Sequence, residues 1–110
     1  MHKYKITITE LAGQDLEEIG DYIAFQLKDP QATIGMARAL QKEVNSLVLY
    51  PERHELDDDS LLAELNVRRH YHQNYKIYYM VHEPTDSMVA LRILHMLVDS
   101  RAKIYKIFGI

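Results

Sequence analysis

Hydrophobic and polar positions alternate most regularly between Val67 and Asp99, in three runs. Leu65, Val67, Arg69 and Tyr71 share one side of the first run, and Tyr75, Ile77, Tyr79 and Val81 one side of the second, with Lys76, Tyr78 and Met80 opposite. In the third, Val89, Leu91, Ile93 and His95 oppose Ala90, Arg92 and Leu94. A period of two with aromatic and β-branched residues predicts three half-buried strands. Glu83-Pro84-Thr85-Asp86 supplies turn chemistry between the last two.

Ahead of these strands the period changes. Lys3 to Ile8 alternates as a short strand with Tyr4, Ile6 and Ile8 on one face. Thr9 is suited to cap a helix in which Leu16, Ile19, Ile23 and Leu27 form the apolar stripe and Glu17, Glu18 and Asp21 point outward. Gly13 and Gly20 weaken that helix slightly. Asp29-Pro30 reads as cap and first position of a second helix, which buries some of Ala37, Leu40, Val44, Leu47 and Val48 and stops near Val48, before Tyr50-Pro51. A short break between two helices of similar length predicts an antiparallel hairpin. Ser100 to Ile110 is a short amphipathic tail, read as a helix capped by Asp99 or Ser100. The order β-α-α-β-β-β is an α+β arrangement: N-terminal strand, antiparallel helical hairpin, then a three-stranded antiparallel sheet and a C-terminal tail helix. Residues 1–110 read as a single domain.

Composition adds a compartment and an asymmetry. The chain has no cysteine, which excludes disulfides and thiolate metal sites. It has neither an apolar run of membrane-spanning length nor the pattern of a signal peptide at its start, so a cytoplasmic protein without membrane contact is expected. The net charge of −3 hides a division: residues 1–65 hold 6 Lys/Arg against 13 Asp/Glu, and residues 66–110 hold 7 against 3. Four of the six histidines, His70, His72, His82 and His95, lie in the second part. An acidic scaffold carrying a basic sheet points to an anionic partner on the sheet side. Asp57-Asp58-Asp59 reads as a solvated loop rather than a metal cluster. His70 and His72 share a strand face, but no third ligand is indicated, so neither metal nor cofactor is expected.

Six stretches, in order, resemble one family. They are Thr9-x-x-Ala12-x-x-Asp15-Leu16-x-x-Ile19-x-x-Tyr22-Ile23-Ala24, Asp29-Pro30-x-Ala32, Leu47-x-x-Tyr50-Pro51, Val67-Arg68-Arg69, Asn74-Tyr75-Lys76-Ile77-Tyr78-Tyr79-x-Val81 and Leu91-Arg92-Ile93-Leu94-His95-x-x-x-Asp99. Together they resemble the RelE/ParE superfamily, the toxins of bacterial type II toxin–antitoxin modules that serve in plasmid stabilisation. The resemblance implies a helical hairpin on a twisted, mostly antiparallel sheet. It also implies a cognate antitoxin that neutralises the toxin and alone brings the pair to operator DNA. Two targets are implied by its branches: mRNA on the ribosome, cleaved by a metal-independent endoribonuclease that stops translation, or DNA gyrase, inhibited without hydrolysis. The ribosome-dependent activity is the leading expectation; gyrase inhibition and a degenerate, non-toxic antitoxin-binding module are the alternatives.

Cleavage through a 2′-hydroxyl needs a base, cations on the scissile phosphate and an acid for the leaving oxygen. The resemblance assigns these roles to His95, Lys76 and Arg69, with Arg68, Arg92 and Tyr105 as substrate-binding groups. Lys76 stands where the family usually has arginine, which keeps the charge but loses the bidentate fork. His95 matches a histidine near the end of the last strand, with an imidazole suited to proton transfer. Met96-Leu97-Val98 follows where basic residues are common, so the cationic clamp is incomplete. Each residue has a structural alternative: Arg68 and Arg69 as edge-strand charges, Lys76 as an exposed strand residue, Arg92 as partner of an acidic helix residue, and His95 as a donor to Asp99.

Overall fold

A computed structural model describes residues 4–28, 30–49 and 51–110. Its elements are β1 (Lys5–Ile8), α1 (Glu10–Leu27), α2 (Pro30–Ser46), α3 (Ser60–Glu64), β2 (Val67–His72), β3 (Tyr75–His82), β4 (Ser87–His95) and α4 (Arg101–Ile107). The strands form one sheet in the order β1-β4-β3-β2, with β1 parallel to β4 and the other pairs antiparallel. The architecture is the expected α+β one. Sequence alternation left open where β1 would pair. It joins the far side of β4 and makes the sheet four-stranded.

Thr9 caps α1 as its hydroxyl chemistry suggests. Its Oγ1 accepts the Ala12 N–H at 3.1 Å and donates to the Leu91 carbonyl at 2.9 Å. One hydroxyl thus ties the helix start to β4. The second helix ends at Ser46, two residues earlier than expected. The proposed cap Asp29, the exit residue Tyr50 and Lys3 at the start of the first strand lie outside the described residues.

Both faces of the sheet are covered, which explains why β3 carries bulky apolar side chains on both sides. Leu40, Val44 and Leu47 of α2 pack on Tyr75, Ile77, Tyr79, Val81, Met88, Ala90 and Ile93. On the other face Leu62 of α3 and Ile104 of α4 pack on Val67, Tyr78, Leu91 and Leu94. One expected alternation fails. Tyr78 pairs with Arg92 but Tyr79 with Ala90, so a bulge at Leu91 shifts the phase of β4. Leu91 joins the α4 side with Val89, while Ile93 stays on the α2 side.

The acidic stretch is not a free loop either. Backbone bonds from the Asp57 N–H to Val67 O (2.9 Å) and from the Arg69 N–H to Glu55 O (3.2 Å) lay it along the open edge of β2. Asp59 then caps α3, accepting from the Leu61 and Leu62 N–H groups at 3.0 and 3.2 Å. Among the described residues no helix is long and apolar enough to cross a membrane.

Candidate functional site

The bulge and the edge pairing decide where the charged side chains go. On the α4 face, Arg69 and Lys76 line a cavity of about 420 Å³ whose walls include Asp57, Asp58, Tyr78, Asp99, Arg101 and Tyr105. Of the six residues assigned to a site by resemblance, Arg69, Lys76 and Tyr105 are brought together here. Lys76 Nζ donates to Val98 O at 2.9 Å and lies 5.8 Å from the centre of the Tyr78 ring. Burial pushes the Lys76 ammonium below its ordinary value; Asp99 opposes this, and neighbouring Arg69 adds to it. Burial likewise pushes the Tyr78 phenol up.

Acidic groups hold the other members. Arg69 Nη2 lies 3.1 Å from Asp58 Oδ1, with its guanidinium 5.8 Å from the centre of the Tyr71 ring. The Tyr105 hydroxyl donates to Asp59 Oδ2, and Arg101 Nε stands 3.2 Å from that same oxygen. The Tyr105 hydrogen bond, aided by the Leu62 and Leu61 N–H groups and by Arg101, outweighs burial and holds the Asp59 carboxyl below its ordinary value of 3.8. The same hydrogen bond, with burial, raises the Tyr105 phenol above 10.0.

These shifts have a measurable consequence. A carboxyl that ionises more readily folded than unfolded stabilises the fold above the ordinary carboxylate value and loses that contribution as pH falls through its lowered value. The raised phenol contributes below 10.0 and loses its contribution as pH rises through the raised value. Tyr105→Phe is therefore expected to flatten the fall in melting temperature between about pH 5 and pH 2 relative to the wild type, as read by circular dichroism. A parallel fall in both proteins would show that the bond adds nothing to stability.

The remaining assigned residues stand elsewhere. His95 packs edge-to-face on Tyr75 with ring centres 5.7 Å apart, on the α2 face of the sheet. Its Nδ1 accepts the Leu97 N–H at 3.2 Å. It borders a second groove, of about 480 Å³, between α1 and β4, which meets the first cavity only at Val98. Arg92 is held bidentately by Asp15 of α1, at 2.8 Å from both Nε and Nη2, and the Ile93 N–H donates to the same carboxylate at 2.9 Å. This is the structural alternative for Arg92. Arg68 points to the α2 side, where its Nη1 donates to the carbonyls of Glu52 (3.2 Å) and His54 (2.7 Å).

Sequence reasoning gave no site role to Asp15, Asp58, Asp59 or Arg101. A signal existed for two of them: Asp15 follows Ala12 on the buried stripe of α1 and demands a cation there, and Asp59 precedes the apolar Leu61-Leu62 as a helix cap does. Glu43 of α2 was also passed over. Its Oε1 lies 3.6 Å from His70 Nε2 and 3.2 Å from His72 Nδ1. Among the described residues, no group of three ligating side chains has the geometry to hold a metal.

Large apolar side chains remain in solvent on α1 and after β4, and one of them, Tyr22, lines the second groove. Leu97 is 89% exposed, Phe25 77% and Tyr22 61%.

No functionally curated protein matches the sequence. Solved structures share the fold, among them two toxin–antitoxin systems. One is the chromosomal ParDE toxin–antitoxin system from P. aeruginosa, at 17% identity and a TM-score of 0.70, covering 86% of this chain and 98% of that one. The other is the RelBE2 toxin–antitoxin complex from Mycobacterium tuberculosis, at 18% identity and a TM-score of 0.63, covering 84% and 98%. The sequence model of the ParE toxin of the type II toxin–antitoxin system parDE matches residues 6–99, and the chain belongs to that family.

Proposed function

We propose that this toxin acts by binding its target rather than by hydrolysis, with DNA gyrase as the target and a cognate antitoxin as its neutraliser. One observation carries the reading. His95, the group suited to proton transfer, lies on the α2 face, while Arg69 and Lys76 lie on the α4 face. General acid–base catalysis needs its groups within hydrogen-bond reach of one scissile phosphate, and here the sheet stands between them. Arg92 and Arg68, which would supplement the clamp, are committed to Asp15 and to backbone carbonyls. Membership in the ParE family points the same way, since the resemblance of its branch is to gyrase inhibitors.

The antitoxin reading rests on the apolar side chains left exposed, Tyr22 in the α1–β4 groove and Phe25, Met96 and Leu97 on α1 and after β4. The two solved neighbours were themselves determined as toxin–antitoxin systems. Operator DNA is then reached only through the antitoxin.

Inducible expression without antitoxin tests the mechanism. Removing a general acid or base costs an enzyme about 10²–10⁴-fold, so a nuclease would lose its growth arrest in His95→Ala or Lys76→Ala. A binding toxin keeps it. Retained arrest in both variants is expected; relief of arrest, with mRNA fragments present only in the wild type, would overturn the reading in favour of the nuclease.

A further inference from the structure

Asp57 and Asp58 line the α4-face cavity and Asp59 is bonded to two of its walls, Arg101 and Tyr105, so the three are not equivalent. Asp57 Oδ1 is engaged by the Asp59 N–H at 2.9 Å. Asp59 is engaged by two N–H groups at the start of α3, by Arg101 and by Tyr105. Asp58 makes one ion pair among the described residues, to Arg69, and its side chain is 82% exposed while that of Arg69 is 16% exposed. A half-buried guanidinium is therefore neutralised by a carboxylate that itself remains in water. Such a carboxylate is weakly held and can be exchanged for another anion.

We propose that Asp58 is a built-in counter-anion that closes the Arg69–Lys76 cavity to phosphate-bearing ligands, and that a phosphate group enters by displacing it. The donors for the incoming group are already in place. A guanidinium carries five N–H groups in a fork that matches a phosphate, and the contact to Asp58 uses one nitrogen. The Lys76 ammonium has three protons, of which Val98 O takes one. Arg101 lines the same cavity, with Tyr71 beside Arg69. The backbone pairing of Asp57 with Val67 and of Arg69 with Glu55 fixes the acidic segment against the strand that carries Arg69. The negative half of the chain thus masks its positive half at one point, and the masking does not depend on which macromolecule the toxin attacks.

Phosphate titration of the full chain tests this, followed by amide shifts around Arg69 and Lys76. Asp58→Asn removes the charge at an exposed position where the fold has little to lose. An exposed pair that the ligand no longer has to break is worth about 1.4- to 5-fold in affinity, so Asp58→Asn is expected to bind inorganic phosphate tighter than wild type by a factor in that range. Asp21→Asn, on the outer side of α1, makes the same change in net charge and is expected to leave affinity unchanged. Adding Arg69→Gln to Asp58→Asn is expected to abolish the gain. The same series with a fluorescein-labelled hexauridylate separates the sources: a matching gain assigns a nucleic-acid backbone to the cavity, and a gain confined to inorganic phosphate assigns a small phosphate ligand. No gain in Asp58→Asn, an equal gain in Asp21→Asn, or a gain that survives the loss of Arg69 would each overturn the proposal.

Discussion

Asp15→Ala is expected to cost about 3–5 kcal/mol, because it leaves the Arg92 guanidinium without its partner in a largely buried position. Asp15 is the acceptor for three donors at once: Nε and Nη2 of Arg92 and the Ile93 N–H. Its side chain is 6% exposed and that of Arg92 16%, so water does little to replace the lost bonds. For a chain of this size each kcal/mol corresponds to roughly 4 °C in Tm, which places the fall well within the reach of a thermal scan. The companion variant distinguishes a charge effect from a packing effect. In Asp15→Leu/Arg92→Met neither charge is buried, and a buried pair replaced by apolar groups is often near neutral. The double variant is therefore expected to recover most of the loss, leaving the cost of the unpaired Ile93 N–H. Equal losses in single and double variants would show that the helix contact, not the ion pair, carries the stability.

Tyr79 gives the second large effect. It is fully buried, the largest such side chain among the described residues, and lies at the centre of the core between α2 and the sheet. Tyr79→Ala opens a cavity there and is expected to cost about 3–5 kcal/mol. The hydroxyl donates to the carbonyl of Pro51, also buried, so the phenol does two jobs. Tyr79→Phe keeps the ring and strips the carbonyl of that donor, for an expected loss of about 1–3 kcal/mol. Denaturant unfolding of both variants measures the two contributions separately. If Tyr79→Phe unfolded with the wild type, the bond to Pro51 would be structurally idle.

Those two residues also show how far local pattern reaches. Tyr79 was legible as a core residue because β3 alternates with a period of two from Tyr75 to Val81, and its neighbours within the strand already place its face. The ion pair of Asp15 with Arg92 joins residues 77 apart in sequence. Its two members belong to different elements, so no local period links them. The bulge at Leu91 is a similar case: one extra residue in β4 puts Val89 and Leu91 on the face opposite Ile93, and only the register of β3 against β4 reveals it. The parallel pairing of β1 with β4 needs a crossover through the whole hairpin, again beyond any local signal.

The site follows the same rule. That Arg69 and Lys76 would share a face was written in their strand positions, since Arg69 and Tyr78 are opposite each other across β2 and β3 and Lys76 lies two residues along. That His95 would fall on the opposite face was equally available from its pairing partner Tyr75, once the register was known. What no strand pattern could contain is the acidic segment folded onto the edge of β2. Its placement depends on backbone hydrogen bonds between residues 57 and 67 and between residues 69 and 55, and these decide that the basic cavity is faced by carboxylates.

A reconstituted assay in two arms tests the central claim most directly. The purified chain is added to DNA gyrase acting on relaxed plasmid, and in parallel to translating ribosomes carrying a labelled mRNA. Supercoiling is expected to fall with toxin concentration while the mRNA remains intact. Cleaved mRNA on the ribosomes with supercoiling unaffected would contradict that claim and place the chemistry back on the sheet.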